Sequence, residues 1–247
     1  MSNVVYNASD LSALGLVTRG VAGVHDLIPA VVSRQFVPGS SMPHDTTVRD
    51  SDIGRLIFTC VVAGEDHAEL VSKLRAIKRV ANPRIGWKHL SITDLSGLRT
   101  LALPGAFPID IDSIPYYRSV VEFRWEWERV GWWEDASATT ARERASINNT
   151  GDLATWPIYT CTVSGTLAGG LTFTVNGGKT FEYTGALVAT DVLVVDSEAM
   201  TCTLNGAEDM ANVADDTDWP ELVTGANGVS KSSADFGLDV SYRNKFE

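Results

Sequence analysis

The side chains in this chain that could do chemistry are four histidines, three cysteines and a few closely spaced carboxylates. Their spacing argues against most reactions. His25, His44, His67 and His89 are scattered, with no His-x-x-x-His or His-Glu-x-x-His step to place two imidazoles around zinc. Cys60, Cys161 and Cys202 form no Cys-x-x-Cys pair, the minimum spacing for a zinc or thioredoxin-like site. Each cysteine sits in an alternating run, Leu56, Phe58, Cys60 and Val62 in the first case, and reads as a small buried hydrophobe. A Cys161–Cys202 pairing across a sheet stays open.

Glu126 and Glu128 fall on one face of a strand and resemble the carboxylate pair of a glycosidase. They share that face with Glu122 and Arg124, which makes a solvated charge ladder the simpler reading. Asp110 and Asp112 are read the same way. Gly177-Gly178-Lys179-Thr180 looks like the end of a phosphate loop. That motif needs a glycine at position 173, where Phe173 stands, and a helix afterwards, where Phe181-Glu182-Tyr183-Thr184 reads as a strand. No serine has a Gly-x-Ser-x-Gly setting. The expectation is therefore no catalytic residue, no metal ligand, no cofactor and no enzyme.

The elements that carry these residues are mainly β. Ile53 to Val62 alternates, and Val120 to Val130 is a long strand. Val121, Phe123, Trp125 and Trp127 project to one side of it and Glu122, Arg124, Glu126 and Glu128 to the other. Such a sheet packs on a core on one face and meets water or a partner on the other. Asp66 to Ala81 is the clearest helix, with Leu70, Val71, Leu74, Ile77 and Ala81 in one stripe, acids at its start, Lys78 and Arg79 at its end, and Asn82-Pro83 as the stop. Trp87, Trp125, Trp127, Trp132 and Trp133 concentrate aromatic surface in this half. Trp132 and Trp133 cannot both face one core in a continuing strand, so one of them is a subunit contact or a filler at the domain boundary.

The second half reads as short strands. Tyr159, Cys161 and Val163 alternate, and Leu171 to Val175 turns at Asn176-Gly177 into Phe181 and Tyr183. Val192 to Val195 pairs with Met200 to Leu204, and Phe236, Leu238, Val240 and Tyr242 alternate last. Asn-Gly marks a hairpin because both residues tolerate positive φ. Short strands with frequent turns indicate a sandwich.

With 247 residues, 44% hydrophobic and 21% charged, the chain has the composition of a globular protein of one large or two modest cores. Residues 151–247 hold 14 acids and 4 bases, whereas the first 150 hold 17 acids and 16 bases. That shift supports a boundary near 150 and argues against affinity for nucleic acid. Asp135 to Asn149 is small and polar and reads as a connecting arm. The expected domains are thus 1–135, an arm over 136–149, and 150–247. The N-terminus shows no basic patch or apolar h-region, and the apolar runs are too short for a membrane span, so a cytosolic origin without membrane contact is expected.

A series of landmarks runs through the second half: Asn149-x-Gly151, Trp156-Pro157, Asp191-x-Leu193-x-x-Asp196, Asn205-Gly206, Trp219-Pro220 and Gly225-x-Asn227. In order and spacing it resembles the distal tail protein family of long-tailed (siphovirus) bacteriophages, most specifically over 145–243. The first half resembles that family's belt domain more loosely, through its strand, helix, strand order and aromatic strand. The resemblance implies an N-terminal tail-tube-like belt domain that forms a hexameric ring, and a C-terminal galectin-like β-sandwich. It implies a homo-oligomer joining the tail tube protein to the tip hub protein, in a virion tail assembled in the host cytoplasm, with DNA passing through unbound. A carbohydrate-binding tail module and a tail-tube subunit are the alternative readings. The basic stretch Lys73, Arg75, Lys78 and Arg79 would then face a neighbouring subunit or, failing that, passing phosphates. Limited proteolysis is expected to cut within 136–150 and leave two resistant fragments; an indivisible chain with no cleavage there would contradict the boundary.

Overall fold

The computed structural model describes residues 3–24, 32–35, 44–47, 53–142 and 146–246. It divides into two compact units, Met1–Trp133 and Glu134–Glu247. His25 and the side chain of His44 lie outside the described residues.

The first unit contains β1 (Val4–Tyr6), β2 (Ser9–Asp10), β3 (Leu16–Ala22), β4 (Val32–Gln35), β5 (His44–Thr47), β6 (Ile53–Ala63), α1 (His67–Val80), β7 (Lys88–Ile92), β8 (Leu98–Pro104) and β9 (Val120–Asp135). Strands β4 and β5 form a separate antiparallel pair, and the others make a sheet in the order β2-β1-β7-β8-β9-β6-β3. The period of two along β9 governs this unit. Phe123, Trp125 and Trp127 are buried, while Glu122, Arg124, Glu126 and Glu128 are exposed. Burying an indole removes on the order of 200 Å² from water, an upper bound of about 5 kcal/mol each. Trp125 and Trp127 meet edge-on at 5.0 Å, and Tyr6 and Phe58 close on Trp127 at 4.9 and 5.4 Å.

Helix α1 forms where its apolar spacing requires, with Leu70, Leu74 and Ile77 buried and β6 as its neighbour. Its N-terminus is reciprocally capped: Glu69 N–H donates to Asp66 Oδ1 at 2.8 Å, and Glu65 N–H donates to Glu69 Oε2 at 2.5 Å. Asn82 ends it by accepting from Arg84 N–H at 3.0 Å ahead of Pro83.

The second unit contains β10 (Thr139–Arg142), β11 (Ile147–Asn149), β12 (Ile158–Val163), β13 (Leu171–Val175), β14 (Lys179–Tyr183), β15 (Val192–Asp196), β16 (Thr201–Leu204), β17 (Ala207–Glu208), β18 (Gly225–Asn227), β19 (Val229–Lys231), β20 (Phe236–Tyr242) and β21 (Lys245–Phe246). A six-stranded sheet, β10-β20-β12-β15-β16-β17, and a three-stranded sheet, β14-β13-β19, share one core. Tyr159 of the larger sheet lies 4.6 Å from Phe173 of the smaller. The segment 136–149, read from its composition as an arm without strands, holds two: β10 pairs with β20 and β11 with β18. Strand β10 is at the sheet edge, with Thr139, Thr140 and Arg142 exposed, so it pairs through its backbone and carries no apolar alternation.

The landmark asparagines hold loops from within. Asn227 is fully buried; its amide donates to the carbonyls of Val223 and Gly225 at 2.7 and 2.9 Å. Its Oδ1 accepts from Val223 N–H at 2.9 Å and from the Asn176 side chain at 2.8 Å. Asn149, also buried, accepts from Gly151 N–H at 3.0 Å and donates to Leu153 and Leu222 carbonyls at 2.8 and 3.1 Å. At Gly151 a Cβ would stand 2.4 Å from the Lys245 carbonyl oxygen, so glycine there permits a close backbone approach. The hairpin at Asn176-Gly177 has φ of 53° and 67°, as a two-residue turn of this hand requires.

Tyr183 reaches out of the same core to donate to Asp209 Oδ2 at 2.6 Å, and Asn212 donates to both Asp209 oxygens at 2.9 and 3.1 Å. The Tyr183 bond, then the Asn212 bond, hold the Asp209 carboxyl below its ordinary range. Burial first, and Asp209 second, push the Tyr183 phenol well above its own, so it remains a donor.

Two outcomes follow. Asn227→Ala removes the partner of the Val223 N–H and of two carbonyls and should cost about 1–3 kcal/mol in urea unfolding; an unchanged midpoint would contradict the pinning role. For Asp209, a folded-state pKa below the unfolded one gives stability that is complete above about pH 4 and lost as pH falls through the folded value. Asp209→Asn should lower the melting temperature at neutral pH and flatten its decline in acid, whereas parallel acid profiles for the two proteins would refute the assignment.

Candidate functional site

The residues singled out as chemistry-bearing are dispersed by the fold. Glu122, Arg124, Glu126 and Glu128 form the ladder their spacing implied, on the outward face of β9. Arg19 reaches Glu122 at 3.3 Å and Arg55 reaches Glu126 at 3.4 Å, each pair with side chains more than half exposed. Pairs this wet contribute roughly 0–1 kcal/mol. The ladder therefore adds little to stability, and its alternating charges are available to solvent or to another molecule. Asp110 caps a short 3-10 turn by accepting from Asp112 N–H at 3.3 Å, and Asp112 meets Arg75 at 3.6 Å.

His67 starts α1 and His89 lies on β7, in separate elements. Among the described residues no cluster of three or more His, Cys, Asp or Glu could hold a metal ion. Gly177 and Gly178 make a hairpin turn, and Lys179 pairs with Asp218 at 3.5 Å. All three cysteines are free and buried. Burial pushes the Cys60 and Cys202 thiols up to about 12, and Cys161 higher still. Cys161 pairs in register with Leu193 of β15, whose Val195 faces Cys202. One whole strand and a two-residue offset along it thus separate the two backbones, about 11–12 Å between Cα atoms at the usual spacings, too far for a disulfide.

The tryptophans divide. Gly131, at φ 74°, interrupts the alternation of β9. Trp133 turns inward and donates to the Val24 carbonyl at 2.9 Å, and Trp132 is left half-buried. Arg129 lies on the inward face, 1% exposed, donating to Gly131 O at 3.2 Å with its guanidinium 5.9 Å from the Trp133 ring. In the basic stretch Lys73 is held by Glu69 at 2.9 Å and by the Ala63 carbonyl at 2.8 Å, which lowers its availability to an outside anion.

Each unit has a surface cavity. In the second unit one of about 190 Å³ is lined by Trp156, Asp196, Glu198, Arg243 and Lys245, among others. Lys245 stands 5.0 Å over the Trp156 ring and pairs with Glu198 at 2.9 Å, covering the aromatic face that a sugar ring would need. Trp219 packs 5.5 Å from Phe181 and is committed to the core. In the first unit a cavity of about 400 Å³ lies between the loop after β8 and the charged face of β9. Near the start of β9, Tyr116 and Tyr117 are 85% and 79% exposed. Sequence reading passed over this pair; two adjacent aromatics in a proline turn, which cannot both turn inward, were the available sign.

Comparison with known proteins supplies what no catalytic constellation does. Residues 150–246 match the family model of the siphovirus-type tail component, C-terminal domain. No curated protein matches the chain by sequence. The crystal structure of the phage SPP1 Dit (gp 19.1) protein, described as a paradigm of the hub adsorption apparatus in phages infecting Gram-positive bacteria, matches at TM-score 0.74 and 13% identity over 100% of both chains. A chain of the phage P2 baseplate in its activated conformation with Ca gives a TM-score of 0.47 at 7% identity, covering 99% of this chain and 98% of that one. The corresponding Sr structure gives 0.44 at 8%, covering 96% and 97%. The mainly β fold with one described α-helix is that of SPP1 Dit along its whole length, and the resemblance to distal tail proteins read from the sequence agrees with both comparisons: residues 150–246 are similar to the C-terminal domain of the siphovirus-type tail component.

Proposed function

We propose that this chain is an architectural subunit of a phage tail tip, which closes into a hexameric ring through its first unit, joins the tail tube to the tip hub, and leaves an opening for DNA. The observation that carries the reading is the likeness to SPP1 Dit over both full chains, together with the tail-component domain over 150–246. The virion tail is its proposed location, and the tube and hub proteins its proposed neighbours.

Physical features support the same reading. The first unit is neutral, 14 acids against 14 bases over residues 1–133, so copies of it can approach without strong mutual repulsion. The whole chain carries −11, which favours passage of a polyanion over adhesion to it. The wet ladder of β9 and the exposed tyrosines before it are surfaces that the fold itself does not consume. An enzymatic role finds no support in the dispersed histidines, the inert thiols or the solvated carboxylates.

The full-length protein should elute in solution at several times the mass of one chain and leave DNA unshifted in a mobility assay at both low and moderate salt. A monomer at every concentration would contradict the ring. DNA binding that survives moderate salt would contradict the passive opening and would turn Lys78 and Arg79 of α1 towards phosphate.

A further inference from the structure

The turn Pro115-Tyr116-Tyr117-Arg118 is closed by Arg118 N–H donating to the Pro115 carbonyl at 2.9 Å, so its two phenols are presented on a fixed scaffold. At 85% and 79% exposure they contribute nothing to the core, and adjacent tyrosines on a rigid turn are typical anchors of protein contacts. Arg118, exposed beside them, makes no ion pair among the described residues.

The first unit also offers a receptor for such a knob. The cavity of about 400 Å³ has Ala106 and Pro108 on one side, and Arg55, Arg124, Glu126 and Glu128 on the other. Apolar loop atoms suit the body of a phenol ring, guanidinium groups suit its face, and carboxylates accept its hydroxyl. Glu126 is engaged by Arg55 at 3.4 Å, while Glu128 has no ion pair among the described residues and can receive a cation. From Val120 to Glu128 the strand runs about 26 Å at its usual rise, so the knob stands away from its own cavity.

We infer that Tyr116 and Tyr117 of one copy insert into the cavity beside Glu126 and Glu128 of a second copy, with Arg118 of the knob paired to Glu128 of the receptor. The contact joins two different patches of the same unit. It is therefore head-to-tail, the kind that generates a ring when its rotation closes. Among the described residues Arg118 of the knob and Glu128 of the receptor each lack an ion pair, as does Arg124 of the cavity, whose guanidinium is left for the phenol face. The Arg118–Glu128 complementarity selects a second copy as the occupant. This inference rests on the ring reading and names the surface through which it would act.

The test uses the full-length chain and its oligomeric mass. Tyr116→Ala with Tyr117→Ala should weaken association by roughly tenfold or more, with the far-ultraviolet spectrum unchanged because both side chains are exposed. Arg118→Glu and Glu128→Arg should each weaken it, and the two together should restore it. An oligomeric parent whose double alanine variant keeps the same mass overturns this contact alone. Charge reversals without mutual rescue overturn the Arg118–Glu128 pairing. A parent that stays monomeric overturns the ring reading and the contact with it.

Discussion

The antiparallel pairing of β6 with β9, unbroken from Ile53 opposite Val130 to Ala63 opposite Val120, is the constraint from which the first unit follows. A one-residue slip would send Trp125 and Trp127 to solvent and draw the glutamates into the core, a change no surface ion pair could offset. Because the register is fixed by three buried aromatics, the outward face is free to vary in chemistry. It carries charge that the fold does not need, and charge of that kind is where an assembling protein can encode whom it meets.

The second unit is held differently. Its two sheets meet through Tyr159, Phe173 and their neighbours, but its long connections are fixed by buried amides. Asn149 and Asn227 substitute for backbone partners where no strand continues, and Gly151 admits Lys245 where a side chain would collide. Of the landmark residues that carried the family resemblance, these three are therefore structural. Their roles here are set by loop geometry: Asn149 and Asn227 satisfy backbone carbonyls, and Gly151 admits a close backbone approach.

Much of this was legible in the sequence because it rests on local rules. The period of two in β9, the stripe and caps of α1 and the hairpin at Asn176-Gly177 all follow from near-neighbour chemistry. What escaped depends on partners distant in sequence. Strand β10 is an edge strand whose pairing with β20 leaves no apolar signature. Arg129 is buried because Gly54, opposite it on β6, leaves room: a Cβ there would lie 2.9 Å from the guanidinium Nε. The separation of Cys161 from Cys202 required knowing that β15 lies between their strands. For the proposed contact surface, the ladder was visible as alternation. The exposed tyrosine turn and the cavity beside Glu128 were not, since a surface feature is defined by what fails to cover it.

The proposed ring requires that the first unit be the part that assembles and encloses an opening. Averaged electron micrographs of the purified full-length protein, with a bound antibody fragment marking the C-terminal unit, test this most directly. The predicted result is a closed ring with a stain-filled centre and the marker at its periphery. A ring whose central wall carries the marker, or a field of single particles with no opening, would contradict it.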